Sequence, residues 1–95
     1  MRVVARVGDH TNGDGGDRRI DPRDIVPITR RTYVEGSLIA VYNDWTKAPH
    51  HDWERLRSGH FASRTSVNGL PVAVIGSKDT GDHTVIEGAS RTFVG

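Results

Sequence analysis

The chain contains no cysteine, which excludes disulfide bonds, thiolate metal ligands and thiol redox chemistry together. Long apolar runs are also missing. The longest, Leu38 to Tyr42, is far too short to cross a bilayer, and Met1 to Val7 lacks the apolar stretch and cleavage site of a secretory leader. Export, if it happens, is expected to use a machine and not a peptide signal. Neither sign of charge dominates: 13 Lys and Arg stand against 12 Asp and Glu, and the net +1 sets up no field for nucleic acid or an anionic membrane. Aromatic residues make up 6% of the chain and hydrophobic residues 35%, so the core must be thin. With 95 residues there is room for one domain, residues 1–95, and a domain that small with a thin core needs a further source of stability.

What the chain does have is glycine, valine and threonine. Eleven glycines against one methionine favour short strands and tight turns over amphipathic helices, and the expected fold class is all-β. Strands are expected at Val3 to Val7, Thr29 to Val34, Ser37 to Tyr42, Arg64 to Val67, Leu70 to Ile75, His83 to Ile86 and Arg91 to Val94. Turns fall at Glu35-Gly36, Asn68-Gly69 and Glu87-Gly88, and Thr11 to Gly16 reads as loop because Asn, Asp and Gly tolerate positive φ. Two prolines make Asp17 to Pro27 an irregular crossing or an edge segment. Asn43 to Gly59 is the least strand-like stretch, with Asp52 placed to cap one short helical turn through Leu56. Val3, Val4, Val34, Ile39, Val41, Val67, Val72, Val74, Val85 and Phe93 are the expected interior.

Short segments recur. Arg6-Val7-Gly8-Asp9-His10 is echoed by Val74-Ile75-Gly76-Ser77, and Val34-Glu35-Gly36-Ser37 by Ile86-Glu87-Gly88-Ala89-Ser90. Val67-Asn68-Gly69-Leu70-Pro71-Val72-Ala73 is a further strand-turn-strand unit. Repeated hairpins in so short a chain suggest units stacked about a common axis, each too small to bury its apolar face alone.

In their order, these units resemble the proline-alanine-alanine-arginine (PAAR) repeat family. The tetrad appears as Pro71-Val72-Ala73-Val74, between Val67-Asn68-Gly69 and Gly76-Ser77, with valine where arginine is usual. Val-Ala-Arg-Val-Gly-Asp opens the chain and Thr-Val-Ile-Glu-Gly-Ala-Ser-Arg-Thr-Phe-Val-Gly closes it. The resemblance implies a small cone of short strands with a pseudo-threefold arrangement. It also implies a non-enzymatic role: a sharp tip that caps a trimeric β-helical spike, one tip per spike trimer, in a contractile phage tail or a type VI secretion system. Membrane piercing, transient contact with the target membrane and carriage of effector cargo belong to that role, as does a place at a virion tail tip or among secreted components.

The family resemblance further implies a zinc (or iron) ion near the point, held by histidines. The candidates are His10, His51, His60 and His83, each in a loop or at a strand margin, with His50 beside His51 and with Asp14 or Asp82 as oxygen substitutes for the absent thiolate. Such an ion would contribute its binding energy to folding. An alternative use of the same histidines is a small metal-dependent hydrolase, although no His-Glu-x-x-His motif is present. A third reading is a plain β-rich binding or assembly domain without metal.

Asp9, Asp14, Asp17, Asp21 and Asp24 do not keep the spacing of a calcium loop and read as locally paired charges. Arg18, Arg19, Arg23, Arg30 and Arg31 are interleaved with these aspartates, which argues against nucleic acid. Trp45 and Trp53 are candidates for interface anchors or for core packing.

Overall fold

A computed structural model describes residues 1–23 and 32–95. The protein is all-β, and among the described residues the one helical piece is a single 3-10 turn, Asp14–Gly16. Eight strands follow in chain order: β1 (Arg2–Val3), β2 (Arg19–Asp21), β3 (Tyr33–Val34), β4 (Ser37–Leu38), β5 (Trp45–Lys47), β6 (Glu54–Val67), β7 (Leu70–Asp79) and β8 (Phe93–Val94). One sheet has the order β2-β5-β6-β7, and β3-β4 and β1-β8 form two-stranded ribbons. All the named pairings are antiparallel.

At the centre is a closed ring of three backbone hydrogen bonds. The Ala5 amide donates to the Ala73 carbonyl (2.9 Å), Ala73 to Ala40 (2.9 Å), and Ala40 back to Ala5 (3.1 Å). The flanking bridges repeat the same offset: Val4 with Val74, Arg6 with Ile39, and Val41 with Val72. Each pairs the residue before one alanine with the residue after another, as a threefold arrangement of three inner segments requires.

The same symmetry extends outwards. Three residues past each alanine stand Gly8, Asn43 and Gly76, all at positive φ (98°, 78° and 104°), donating to the carbonyls of Ile20, Leu56 and Val85 at 2.8, 2.6 and 3.0 Å. Glycine and asparagine are the residues that tolerate this backbone. One position further, Asp9, Asp44 and Ser77 turn their side-chain oxygens back to the amides of Arg6, Val41 and Val74 (2.7, 2.9 and 3.0 Å), so all three are buried yet satisfied.

The core divides along the same lines. Ala5, Ala40 and Ala73 pack with Ile20, Leu56 and Val85 in one cluster, while Val4, Ile39, Val72 and Val34 form another, against which Val67 and Val94 pack. Alanine fits the first cluster because three inner segments meet too closely for larger side chains.

Several expectations change. The helical turn proposed from Asp52 to Leu56 does not form: Glu54 opens the 14-residue strand β6, which pairs with β5 and then β7. Register shifts interrupt β6 between Leu56 and Ser58, Gly59 and Phe61, and Phe61 and Ser66, which erases the simple alternation that marks a strand. The edge segment expected within Asp17 to Pro27 is present as β2, at the edge of the four-stranded sheet, while residues 24–27 lie outside the described residues. Phe93 is half exposed instead of interior, because β8 pairs at the margin of the domain with β1. The expected strand from Thr29 lies partly outside the described residues, as do Asp24, Arg30 and Arg31.

Candidate functional site

Six residues past each alanine, the three inner segments bring together Thr11, Thr46 and Asp79, all buried. Arg18, whose side chain is 3% exposed, ties them. Its Nε donates to Asp14 Oδ2 (2.7 Å), one Nη to the Thr46 carbonyl and hydroxyl (3.0 and 3.2 Å), and the other to the Asp52 carbonyl (2.7 Å). The Thr46 hydroxyl donates onward to Asp79 Oδ2 (2.8 Å), and the Thr11 hydroxyl donates to the Arg18 carbonyl (3.3 Å).

Asp79 is a fully buried carboxylate, tolerable because its donors converge from several directions. Oδ1 accepts from the amides of Gly81 (2.9 Å) and His83 (3.0 Å); Oδ2 accepts from Thr46 and lies 3.1 Å from His83 Nδ1. The His83 ring rests on the backbone of Gly13, where an added Cβ would come within 2.4 Å of the imidazole. Asp14 is held below the usual carboxylate range, first by the Arg18 hydrogen bond, which outweighs desolvation, and then by the charges of Arg18, His51 and His83.

The candidate histidines are distributed, and three of the four lie beside a carboxylate of their own. His83 faces Asp79, His51 Nδ1 lies 3.3 Å from Asp14 Oδ1, and His10 Nδ1 lies 2.8 Å from Glu87 Oε1. Glu87 is held below its usual range chiefly by that bond. His60 is exposed on β6 and takes part through its carbonyl, which accepts from the Ser77 hydroxyl; His50 is also exposed, and Asp82 pairs with Lys78. Among the described residues, no three His, Asp or Glu side chains are gathered to hold a metal ion. A closed zinc site needs three or four donors around one point. Here Asp14, which lies beside His51 and feels the charge of His83, already carries a guanidinium, whose charge opposes a second cation. The described residues, as arranged, do not fit the implied metal.

The other feature is the set of hairpin ends. Glu35-Gly36 joins β3 to β4 and Asn68-Gly69 joins β6 to β7, with both residues of each pair at positive φ. The third member of the set is open: Val94 pairs with Arg2 as Val34 pairs with Ser37 and Val67 with Leu70. Among the described residues, five large hydrophobic side chains are exposed, and four of them, Met1, Tyr33, Leu70 and Phe93, belong to these three hairpins. Tyr33 and Phe93 occupy equivalent places, where the β6-β7 hairpin has Ser66. Glu35 fastens the β3-β4 hairpin to the open one: its carboxylate accepts from the Ser90 amide and hydroxyl, the Arg91 amide and the Thr92 hydroxyl at 2.7 to 3.0 Å. These bonds, those of Ser90 foremost, lower its pKa to about 2.

Trp45 and Trp53 meet edge to face at 5.9 Å, half-buried, with the Arg23 guanidinium over both rings and Arg55 over Trp45 at 3.9 Å. The tryptophans thus serve as a platform for cations. Arg18, the residue that ties the inner segments, gave no sequence signal, because its partners Thr46 and Asp52 lie in another third of the chain. The Ala5, Ala40 and Ala73 set did leave one: each alanine follows a β-branched residue.

No protein-family profile, curated protein sequence or solved structure matches this chain.

Proposed function

We propose that the domain caps the end of a threefold-symmetric partner, the trimeric β-helical spike of a contractile injection machine, with one cap per spike trimer. The observation that carries this reading is the ring of Ala5, Ala40 and Ala73: one chain presents the same backbone pairing three times about an axis. A single chain seated on the end of a trimer must offer three similar contacts, and three linked units of unequal sequence do so without being a trimer themselves. A β-helical spike ends in unpaired backbone groups that an added layer of strand edges can satisfy.

The distribution of apolar surface supports the hairpin end as the docking face. Met1, Tyr33, Leu70 and Phe93 are exposed there, and exposed aromatic groups anchor interfaces when a partner desolvates them. On this reading the opposite end leads during penetration, touching the target membrane transiently, and any effector cargo travels with the assembly. The protein then works at a phage tail tip or as a secreted component of a type VI system, and it binds no nucleic acid and catalyses no reaction. A metal-dependent hydrolase would need its histidines about one open ion; the separate carboxylate partners of His10, His51 and His83 favour the cap.

Co-purification with a trimeric β-helical spike fragment tests the reading, with one cap per three spike chains expected by light scattering. Failure to bind any such trimer, or one cap on every spike chain, overturns it.

A further inference from the structure

We propose that the guanidinium of Arg18 is a built-in cation that ties the polar ends of the three inner segments together, so that the domain folds and holds its shape without a bound metal ion. A metal joins distant turns because it offers several directed bonds from one positive centre. Arg18 has the same properties in covalent form. Its planar fork directs bonds to Asp14 in the first third of the chain and to the Thr46 carbonyl and hydroxyl and the Asp52 carbonyl in the second. The last third is reached in one step, since the Thr46 hydroxyl that accepts from Arg18 donates to Asp79, which in turn holds the Gly81 and His83 amides.

The burial of the group supports this role. A guanidinium 3% exposed has lost its water, and such a charge persists only where a carboxylate and several carbonyls replace that water. The Asp14 carboxylate and three neutral oxygens supply the replacement. Their positions also account for the separate histidines: with a permanent cation on Asp14, His51 and His83 are left as outer partners of Asp14 and Asp79 instead of ligands to a common ion. The proposal is independent of spike capping, since it concerns the isolated chain.

The test is made on the full 95-residue chain, purified without a histidine tag. Metal content is measured by inductively coupled plasma mass spectrometry, and thermal unfolding is followed with and without excess chelator. Less than about one metal ion per ten chains is expected, with Tm unmoved by EDTA or by added zinc. Arg18→Met should lower Tm by more than ~10 °C or prevent folding, and Arg18→Lys, which keeps the charge but loses the fork, should fall between it and the wild type. One tightly held metal ion per chain, with chelation lowering Tm by ~10 °C or more, overturns the proposal, as does an Arg18→Met variant as stable as the wild type. The chelation result stands even if Arg18→Met does not fold. A failed spike pull-down would leave all of these readouts unchanged.

Discussion

The amide of Ala40 donates to the carbonyl of Ala5 at 3.1 Å, although roughly a third of the chain separates them. Their methyl groups share a buried cluster with Ala73, Ile20, Leu56 and Val85. Enlarging any of the three alanines forces the inner segments apart at a point where all of them are hydrogen-bonded to one another. Ala73→Val should therefore cost ~1–3 kcal/mol despite the better strand propensity of valine, with similar costs at Ala5 and Ala40. Urea unfolding measures this; an unchanged midpoint at all three sites would mean that the ring has slack.

Backbone conformation separates two equivalent positions. Gly76 has φ of 104°, and a Cβ there would also lie 3.1 Å from the His60 ring, so Gly76→Ala should destabilise by more than ~1 kcal/mol. Asn43 stands at the same place in the second unit with φ of 78°, where Asn43→Gly should change stability by only a few tenths of a kcal/mol. Equal losses at the two sites would count against their equivalence.

The two substitutions also mark what the sequence makes legible. Gly8-Asp9 and Gly76-Ser77 share a recognisable pattern, and the structure places them in equivalent turns. The third member, Asn43-Asp44, stayed hidden because asparagine replaces glycine while serving the same positive φ. The echo between Glu35-Gly36 and Glu87-Gly88 was misleading, since the structural counterpart of Glu35-Gly36 is Asn68-Gly69. The start of strand β6 carries no strand signal in the sequence, because its register shifts break the alternation. Side-chain chemistry was the least legible layer: nothing local tells that Arg18 is buried or that His10, His51 and His83 each meet a different carboxylate.

Acid should loosen the Glu35 clamp. Its carboxyl titrates near 2 in the folded protein against an ordinary value of 4.5, so the unfolded chain takes up its proton first. The stabilisation is fully present above about pH 4.5 and is lost as pH falls through about 2. Melting curves of the wild type and of Glu35→Gln should accordingly differ above pH 4.5 and converge towards pH 2. A pH-independent difference would mean that the ionised carboxylate is not what holds Ser90, Arg91 and Thr92.

Docking can be separated from folding at the hairpin end. Tyr33→Ser and Phe93→Ser remove exposed rings at equivalent places, so each should leave Tm nearly unchanged. If these rings anchor the cap, the double variant should bind the trimeric spike fragment ~10-fold or more weakly by surface plasmon resonance. Undiminished affinity would move the contact to another face.

The pairing of Val94 with Arg2 brings residues 2 and 94 together where the other units have a two-residue turn. The fold thus has three interchangeable places at which a chain could begin. Rejoining Val94 to Arg2 through an Asn-Gly pair and reopening the backbone between Asn68 and Gly69 should yield a permuted protein with the wild-type circular dichroism spectrum and a cooperative melt. An unfolded permutant would mean that the order of synthesis, and not the closed pattern of pairing, selects this architecture.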